Sequence, residues 1–192
     1  MGIAAHVAAI SSNVPFGHFQ DGFRTTHEIQ KVDGPTDEQI RSCMDMDAIA
    51  RFRARGLNPS HPVQRGTAQN PDVFMQASEA SSIHFARVAA SVEAAFATLK
   101  RVFGTNYSLF EYFGDPQASD VVICMGSASD VVESTVSAIA RRGPAKVGLV
   151  KVRLFRPFSA EHLSRAIPQT ARRICVLDRG KDVTGAGEPL FE

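Results

Sequence analysis

Residues 121–177 read VVICMGSASDVVESTVSAIARRGPAKVGLVKVRLFRPFSAEHLSRAIPQTARRICVL and carry the plainest structural pattern in the chain. Three short runs stand out: Val121–Met125 (VVICM), Lys146–Leu154 (KVGLVKVRL) and Arg173–Leu177 (RICVL). Their apolarity is nearly continuous rather than alternating, which is how strands buried on both faces read. Between the first two runs, Val132, Val136 and Ile139 recur at helical spacing over Val131–Arg142, and Gly143-Pro144 ends the segment. Between the second and third, Ser159–Ile167 reads as a short helix. Strands separated by helices predict βαβ crossovers, and hence a parallel sheet covered on both faces. The fold class is therefore α/β, with a three-layer parallel-sheet unit over residues 105–192.

N-terminal to that unit the pattern is helical. Phe85, Val88, Ala89, Val92, Phe96, Leu99 and Phe103 form one apolar stripe, predicting a helix over Ser82–Val102 with Gly104 as its stop. Leu57–Pro71 (LNPSHPVQRGTAQNP) is dense in proline, glycine and asparagine and reads as a connector, ordered or flexible. A helix is predicted from Asp37 to Arg55. Thr36 and Gln39 have capping-box spacing at its start, and Arg51, Arg53 and Arg55 complement the dipole at its end. Gly2–Ile10 reads as a short helix apolar all round, a kind normally buried inside something larger. Val14–Phe19 reads as a short strand.

Composition narrows the function classes. A 192-residue chain with net charge +1 and no long run of one sign lacks the footprint of a nucleic-acid or membrane-surface binder. Met1–Phe16 has no basic residue before its apolar stretch, and His6 interrupts it, so it does not read as a signal peptide. No run approaches the ~18 apolar residues of a membrane helix. Cys43, Cys124 and Cys175 are far apart and form no CxxC pair, so no zinc or iron–sulfur ligand set is legible. Cys124 and Cys175 sit in apolar runs and are expected to be buried, reduced thiols, which suits a cytoplasmic protein.

Two polar clusters and one turn are the places for chemistry. Asp21-Gly22-Phe23-Arg24-Thr25-Thr26-His27-Glu28 offers a cation, hydroxyls, an imidazole and carboxylates. It suits either a site that holds an anionic substrate or braces a cofactor pocket, or a helix start capped by Thr25 or Thr26 with ion pairs between domains. Gln64–Asn70 places Arg65 and Thr67 where they can touch an anion or tie the connector down. Gly126-Ser127-Ala128-Ser129 follows a strand and opens a helix, where free backbone N–H groups and the helix dipole favour phosphate. It matches neither GxGxxG nor a P-loop, and a tight structural turn is the commoner use of such a segment. Arg153 and Arg156 flank Phe155 and read as an interface patch.

Four strings resemble the pyruvate:ferredoxin (flavodoxin) oxidoreductases, in family order and spacing: HFQDGFRTTHEIQK (His18–Lys31), NPSHPVQRGTAQNPDVFMQASEA (Asn58–Ala80), GLVKVRLFRPFS (Gly148–Ser159) and VLDRGKDVTGAGEPLF (Val176–Phe191). The resemblance covers essentially the whole chain. It implies that residues 1–56 are the C-terminal part of a thiamine-diphosphate-binding domain of the pyrimidine-binding type, and that 57–104 are a connector and entry helix. Residues 105–192 then form a second domain, similar to the transketolase C-terminal domain. The parent would oxidatively decarboxylate pyruvate to acetyl-CoA using thiamine diphosphate, Mg2+, 4Fe–4S clusters and CoA. Its partners would be ferredoxin or flavodoxin and, for this segment, the remaining domains of a homodimeric enzyme, with no nucleic acid or membrane.

The family's residues for thiamine, pyruvate, CoA, clusters and magnesium diphosphate lie upstream or downstream of this region. The resemblance therefore places no catalytic, cofactor or metal residue here. Arg24, Thr25, His27, Glu28, Arg65 and Thr67 stand as pocket-rim or interdomain candidates. The expected role is structural, in a chain inactive alone. The alternatives are a docking subunit of a split 2-oxoacid oxidoreductase, or a free nucleotide-binding α/β protein.

Overall fold

The computed structural model describes residues 1–63, 66 and 68–192, and all three apolar runs are strands in it. In chain order the elements are α1 (Gly2–Ser12), α2 (Arg24–His27), α3 (Asp37–Cys43), α4 (Met46–Ala54), α5 (Pro71–Phe85), α6 (Val88–Phe103), β1 (Phe110–Gly114), β2 (Asp120–Met125), α7 (Ala128–Arg142), β3 (Val147–Val152), α8 (Ala160–Ala166) and β4 (Arg173–Leu177). They gather into a helical unit, Met1–His18 with Asp33–Asn106, and an α/β unit, Phe19–Val32 with Tyr107–Glu192.

The α/β unit is built on a four-stranded sheet of order β1-β3-β2-β4. β3 and β4 both run parallel to β2, as the crossovers require. β1 is the addition: it pairs antiparallel with β3, Phe110 opposite Val152 and Phe113 opposite Leu149. The sheet is thus mixed, not all parallel, with its one antiparallel strand at an edge, a common arrangement in such sheets. Successive side chains of a strand face opposite ways. Phe113 packs with Cys124, Leu149, Val136 and Val132 under α7. Phe110, on the other face, meets Phe158 edge-on at 5.5 Å, just before α8. Helices therefore cover both faces, and Leu149, Val150 and Cys124 are wholly buried between them.

One polar group shares the α7 face. Lys151 is buried, and its Nζ pairs with Glu133 and lies 3.7 Å from Asp130, both on α7. β4 is different: Ile174 and Leu177 are exposed, and so is Cys175. The expectation of a buried Cys175 is corrected, because β4 is an edge strand with little packed against it. Cys124 is buried, and burial pushes its thiol pKa up.

In the helical unit, α1 packs along α6, with α3 and α4 against them. Ala4 and Ala8 of α1 and Val88, Val92, Ala95, Phe96 and Leu99 of α6 form the core. Of the stripe read from the sequence, Val88, Val92, Phe96 and Leu99 are buried on this face of α6, whereas Phe85 ends α5 and is exposed. Gly104 ends the helix with φ 69°, a left-handed conformation that suits glycine.

Two single predicted helices are each two. The Thr36–Gln39 capping box is present, with Gln39 N–H donating to Thr36 Oγ1 (3.3 Å) and Thr36 N–H to Gln39 Oε1 (2.9 Å). The helix it opens nevertheless stops at Cys43. Met44 is extended, and Asp45 starts α4 by accepting the Ala48 N–H at 2.9 Å. Likewise Phe85 ends α5, and an Arg87 N–H to His84 O bond (3.1 Å) interrupts the i→i−4 ladder before α6. Val14–Phe19 is not a strand: it leaves α1 through a left-handed Asn13 and has no strand partner. No helix among the described residues is long and apolar enough to cross a membrane.

Candidate functional site

At the carboxyl end of β2 the chain turns through Gly126 and Ser127 into α7. Gly126 has φ 72°, and a Cβ there would stand 2.9 Å from a carboxylate oxygen of Asp21. Glycine is therefore needed both for the turn and for the close approach. The Ser127 N–H donates to Asp21 Oδ2 at 2.6 Å, and Arg179 Nη1 donates to Asp21 Oδ1 at 2.6 Å. Hydrogen bonding from Ser127, and after it the Arg179 charge, hold the Asp21 carboxyl below its usual pKa. The turn that reads as a phosphate cradle or a structural turn thus already holds an anion, supplied by the chain itself.

Asp21 belongs to the first polar cluster, and the other residues of that cluster lie in and around α2. Arg24, Thr25 and His27 are in α2, and Glu28 follows it; all four are exposed. Neither Thr25 nor Thr26 caps the helix. The N-cap is Phe23, with φ 51°, and the Thr26 hydroxyl donates back to the Phe23 carbonyl at 2.9 Å. Phe23 and His27 rings lie 5.4 Å apart. Arg65 and Thr67 fall outside the described residues.

The two arginines of the Arg153-Leu154-Phe155-Arg156 segment are engaged within the α/β unit. Arg153 is half-buried, donates through Nε (2.9 Å) and Nη2 (2.5 Å) to Glu111 Oε2, and lies 4.6 Å over the Tyr107 ring. Arg156 stacks 4.0 Å over Phe155 and donates to the Pro189 carbonyl at 3.2 Å.

Two open clefts lie at opposite ends of the strands. One, of about 380 Å³, is lined by Val176, Leu177, Asp178, Gly180, Lys181, Glu188 and Phe191. Asp178, in its lining, accepts the Leu190 N–H at 2.7 Å, and Asp182, in the segment after β4, accepts the Thr184 N–H (2.8 Å) and hydroxyl (2.7 Å). The other, of about 530 Å³, is lined by Gln117, Ser119, Lys146, Thr170, Arg172 and Arg173. Arg173 there pairs with Asp120, and this hydrogen bond, followed by one from Ser119, lowers the Asp120 pKa to about 2.

The donor set does not fit the 4Fe–4S clusters that the resemblance implies. A 4Fe–4S cluster takes four thiolates and the chain has three cysteines. Among the described residues no three His, Cys, Asp or Glu side chains are placed to hold a metal ion.

Asp21 and Arg179 are the residues that a reading by pattern passes over. Asp21 lies in the marked cluster, but its partner is 106 residues away, and no spacing rule reaches that far.

A family model described as pyruvate flavodoxin/ferredoxin oxidoreductase, thiamine diphosphate-binding, matches residues 1–97. A second, pyruvate:ferredoxin oxidoreductase core domain II, matches residues 118–192. The chain is 47% identical over all 192 residues to the pyruvate:ferredoxin oxidoreductase of Moorella thermoacetica, covering 16% of that protein. It is 47% identical over 187 residues to the pyruvate-flavodoxin oxidoreductase of Rhodospirillum rubrum, covering 97% of this chain and 16% of the relative. It is 38% identical over 190 residues to the pyruvate dehydrogenase (NADP+) of Cryptosporidium parvum, covering 99% of this chain and 10% of the relative.

Proposed function

Because this chain belongs to the pyruvate flavodoxin/ferredoxin oxidoreductase family, we propose that it is one internal segment of a longer enzyme that oxidises pyruvate and CoA to acetyl-CoA and CO2 and delivers the electrons to ferredoxin or flavodoxin. The observation that carries this is the end-to-end match at 47% identity to relatives of which the chain covers only 16%. Thiamine diphosphate, Mg2+, 4Fe–4S clusters and CoA would be held by other parts of the parent. Residues 1–56 are then the tail of the thiamine-diphosphate-binding-type domain, 57–104 the connector and entry helix, and 105–192 the transketolase-like domain. The segment's own work is architectural. It joins two domains and offers surfaces to the remaining domains of a homodimeric cytoplasmic enzyme.

α5 supports the architectural reading. It has no buried residue, and Val73, Phe74, Met75, Ile83 and Phe85 are all exposed. A helix of this length is marginal in water without tertiary packing, so these side chains suit a covered face. Arg24, Thr25, His27 and Glu28, exposed on and beside α2, would likewise be offered to other parts of the parent.

The test is the size of the native polypeptide on a denaturing gel, followed by a pyruvate- and CoA-dependent assay of ferredoxin reduction. A band far heavier than 20.8 kDa, with activity in the native preparation that yields it and none in the 192-residue chain, is expected. A native band at 20.8 kDa would instead favour a docking subunit that assembles with separate catalytic chains.

A further inference from the structure

The segment Phe19–Val32 belongs to the α/β unit, although the residues before and after it belong to the helical unit. Along this arm every residue is exposed except Asp21. Its four large apolar side chains, Phe19, Phe23, Ile29 and Val32, are 70–100% exposed. Apolar burial, the usual way of holding a segment in place, therefore contributes almost nothing. Asp21 is the contrast: its side chain is only 19% exposed, and both carboxylate oxygens are engaged.

The two partners come from different parts of the unit. Ser127 supplies the first free N–H of a long helix, where a negative charge is favoured by the helix dipole. Arg179 follows β4 and supplies a countercharge. Gly126 leaves the space that brings the carboxylate in. One side chain thus ties the arm to the β2–α7 turn and to the segment after β4.

We propose that Asp21 is a latch, a single ionised side chain that fastens the 19–32 arm to the start of α7 and so fixes where Arg24, Thr25, His27 and Glu28 are presented. Asp21 is a positioning residue in this scheme. The fastening is by charge-assisted hydrogen bonds rather than packing, so the arm can detach without disturbing the sheet beneath it. The proposal does not depend on the parent's activity, since it is read out on the chain's own opening.

The experiment is native-state trypsin cleavage of the 192-residue chain, with hydrogen exchange at the Ser127 amide as the second readout. Arg24 and Lys31 are exposed cleavage points within the arm. In Asp21→Ala, cleavage after both, and exchange at Ser127, should accelerate about ten- to a hundred-fold, the change expected when two charge-assisted hydrogen bonds no longer hold a segment closed. Cleavage at Arg51, in the helical unit, should stay the same. Unchanged rates at Arg24, Lys31 and Ser127 overturn the latch, and so does equal acceleration everywhere, which would report global loosening. If Asp21→Ala fails to fold, Arg179→Gln decides by the same two rates. A rise of a few-fold supports the latch, and no rise overturns it.

Discussion

The α/β unit and the helical unit close their cores very differently. In the α/β unit, β2 and β3 run between α7 and the α8 segment, and Leu149, Val150 and Cys124 lose all contact with water. In the helical unit α6 buries five residues, while α5, just before it in sequence, buries none. α6 spaces its apolar residues on one face. α5 runs Val73, Phe74 and Met75 consecutively, so they point around the helix, and no other helix of the unit buries them. Apolar content alone did not set burial. Periodicity and the presence of a facing element did.

The largest effect should come from the better-closed core. Leu149→Ala removes a fully buried side chain from the middle of the sheet and should cost about 2–5 kcal/mol in urea unfolding. A loss below about 1 kcal/mol would mean that this core is not closed as described.

Next comes the buried cation. Lys151 has an 11% exposed side chain, and Glu133 a 37% exposed one. Lys151→Ala should cost about 1–3 kcal/mol, moderated because Glu133 can turn to water. A double-mutant cycle with Glu133→Gln isolates the pair, and a coupling near zero would show that the loss is packing alone.

Asp45→Ala tests the helical unit by its sign. If Asp45 caps a separate α4, its loss destabilises by about 1 kcal/mol in a thermal melt. If one helix ran through Asp37–Arg55, alanine at that position would stabilise instead.

Acid probes the sheet's β4 edge. Asp120 has its pKa lowered to about 2 from 3.8. A lowered carboxylate pKa means that the Arg173 pairing contributes fully above the unfolded value of about 3.9 and is lost as pH falls through about 2. A carboxyl carbon titration by NMR should find the Asp120 midpoint near 2. A midpoint at the ordinary value would remove this pairing from the account of β4. The smallest effect is expected on α5: Phe74→Ala, at a 58% exposed position, should stay within about 0.5 kcal/mol in the isolated chain.

Much of the α/β unit was legible because strands buried on both faces leave an unmistakable apolar run. β4 begins and ends at the residues read from its apolar run, although as an edge strand it is left largely exposed. β1 was not legible. FEYFG alternates poorly, and its partner β3 is about forty residues away. The break at Met44–Asp45 had a local signal, an Asp before a helical run, but the apolar spacing on both sides concealed it. Of the candidate site, the cluster from Asp21 to Glu28 was marked as polar and dense, yet the member that is engaged, Asp21, was not among the residues singled out.

Family membership and the α/β class were present in the order of residues, because both rest on local strings, on continuous apolar runs and on the 3.6-residue period of helices. Three things came only with the folded chain: that the antiparallel strand sits at one edge, that α5 is bare, and that Asp21 meets Ser127 across 106 residues. Which backbone N–H a carboxylate reaches depends on the path of everything between them, and no local pattern records that path.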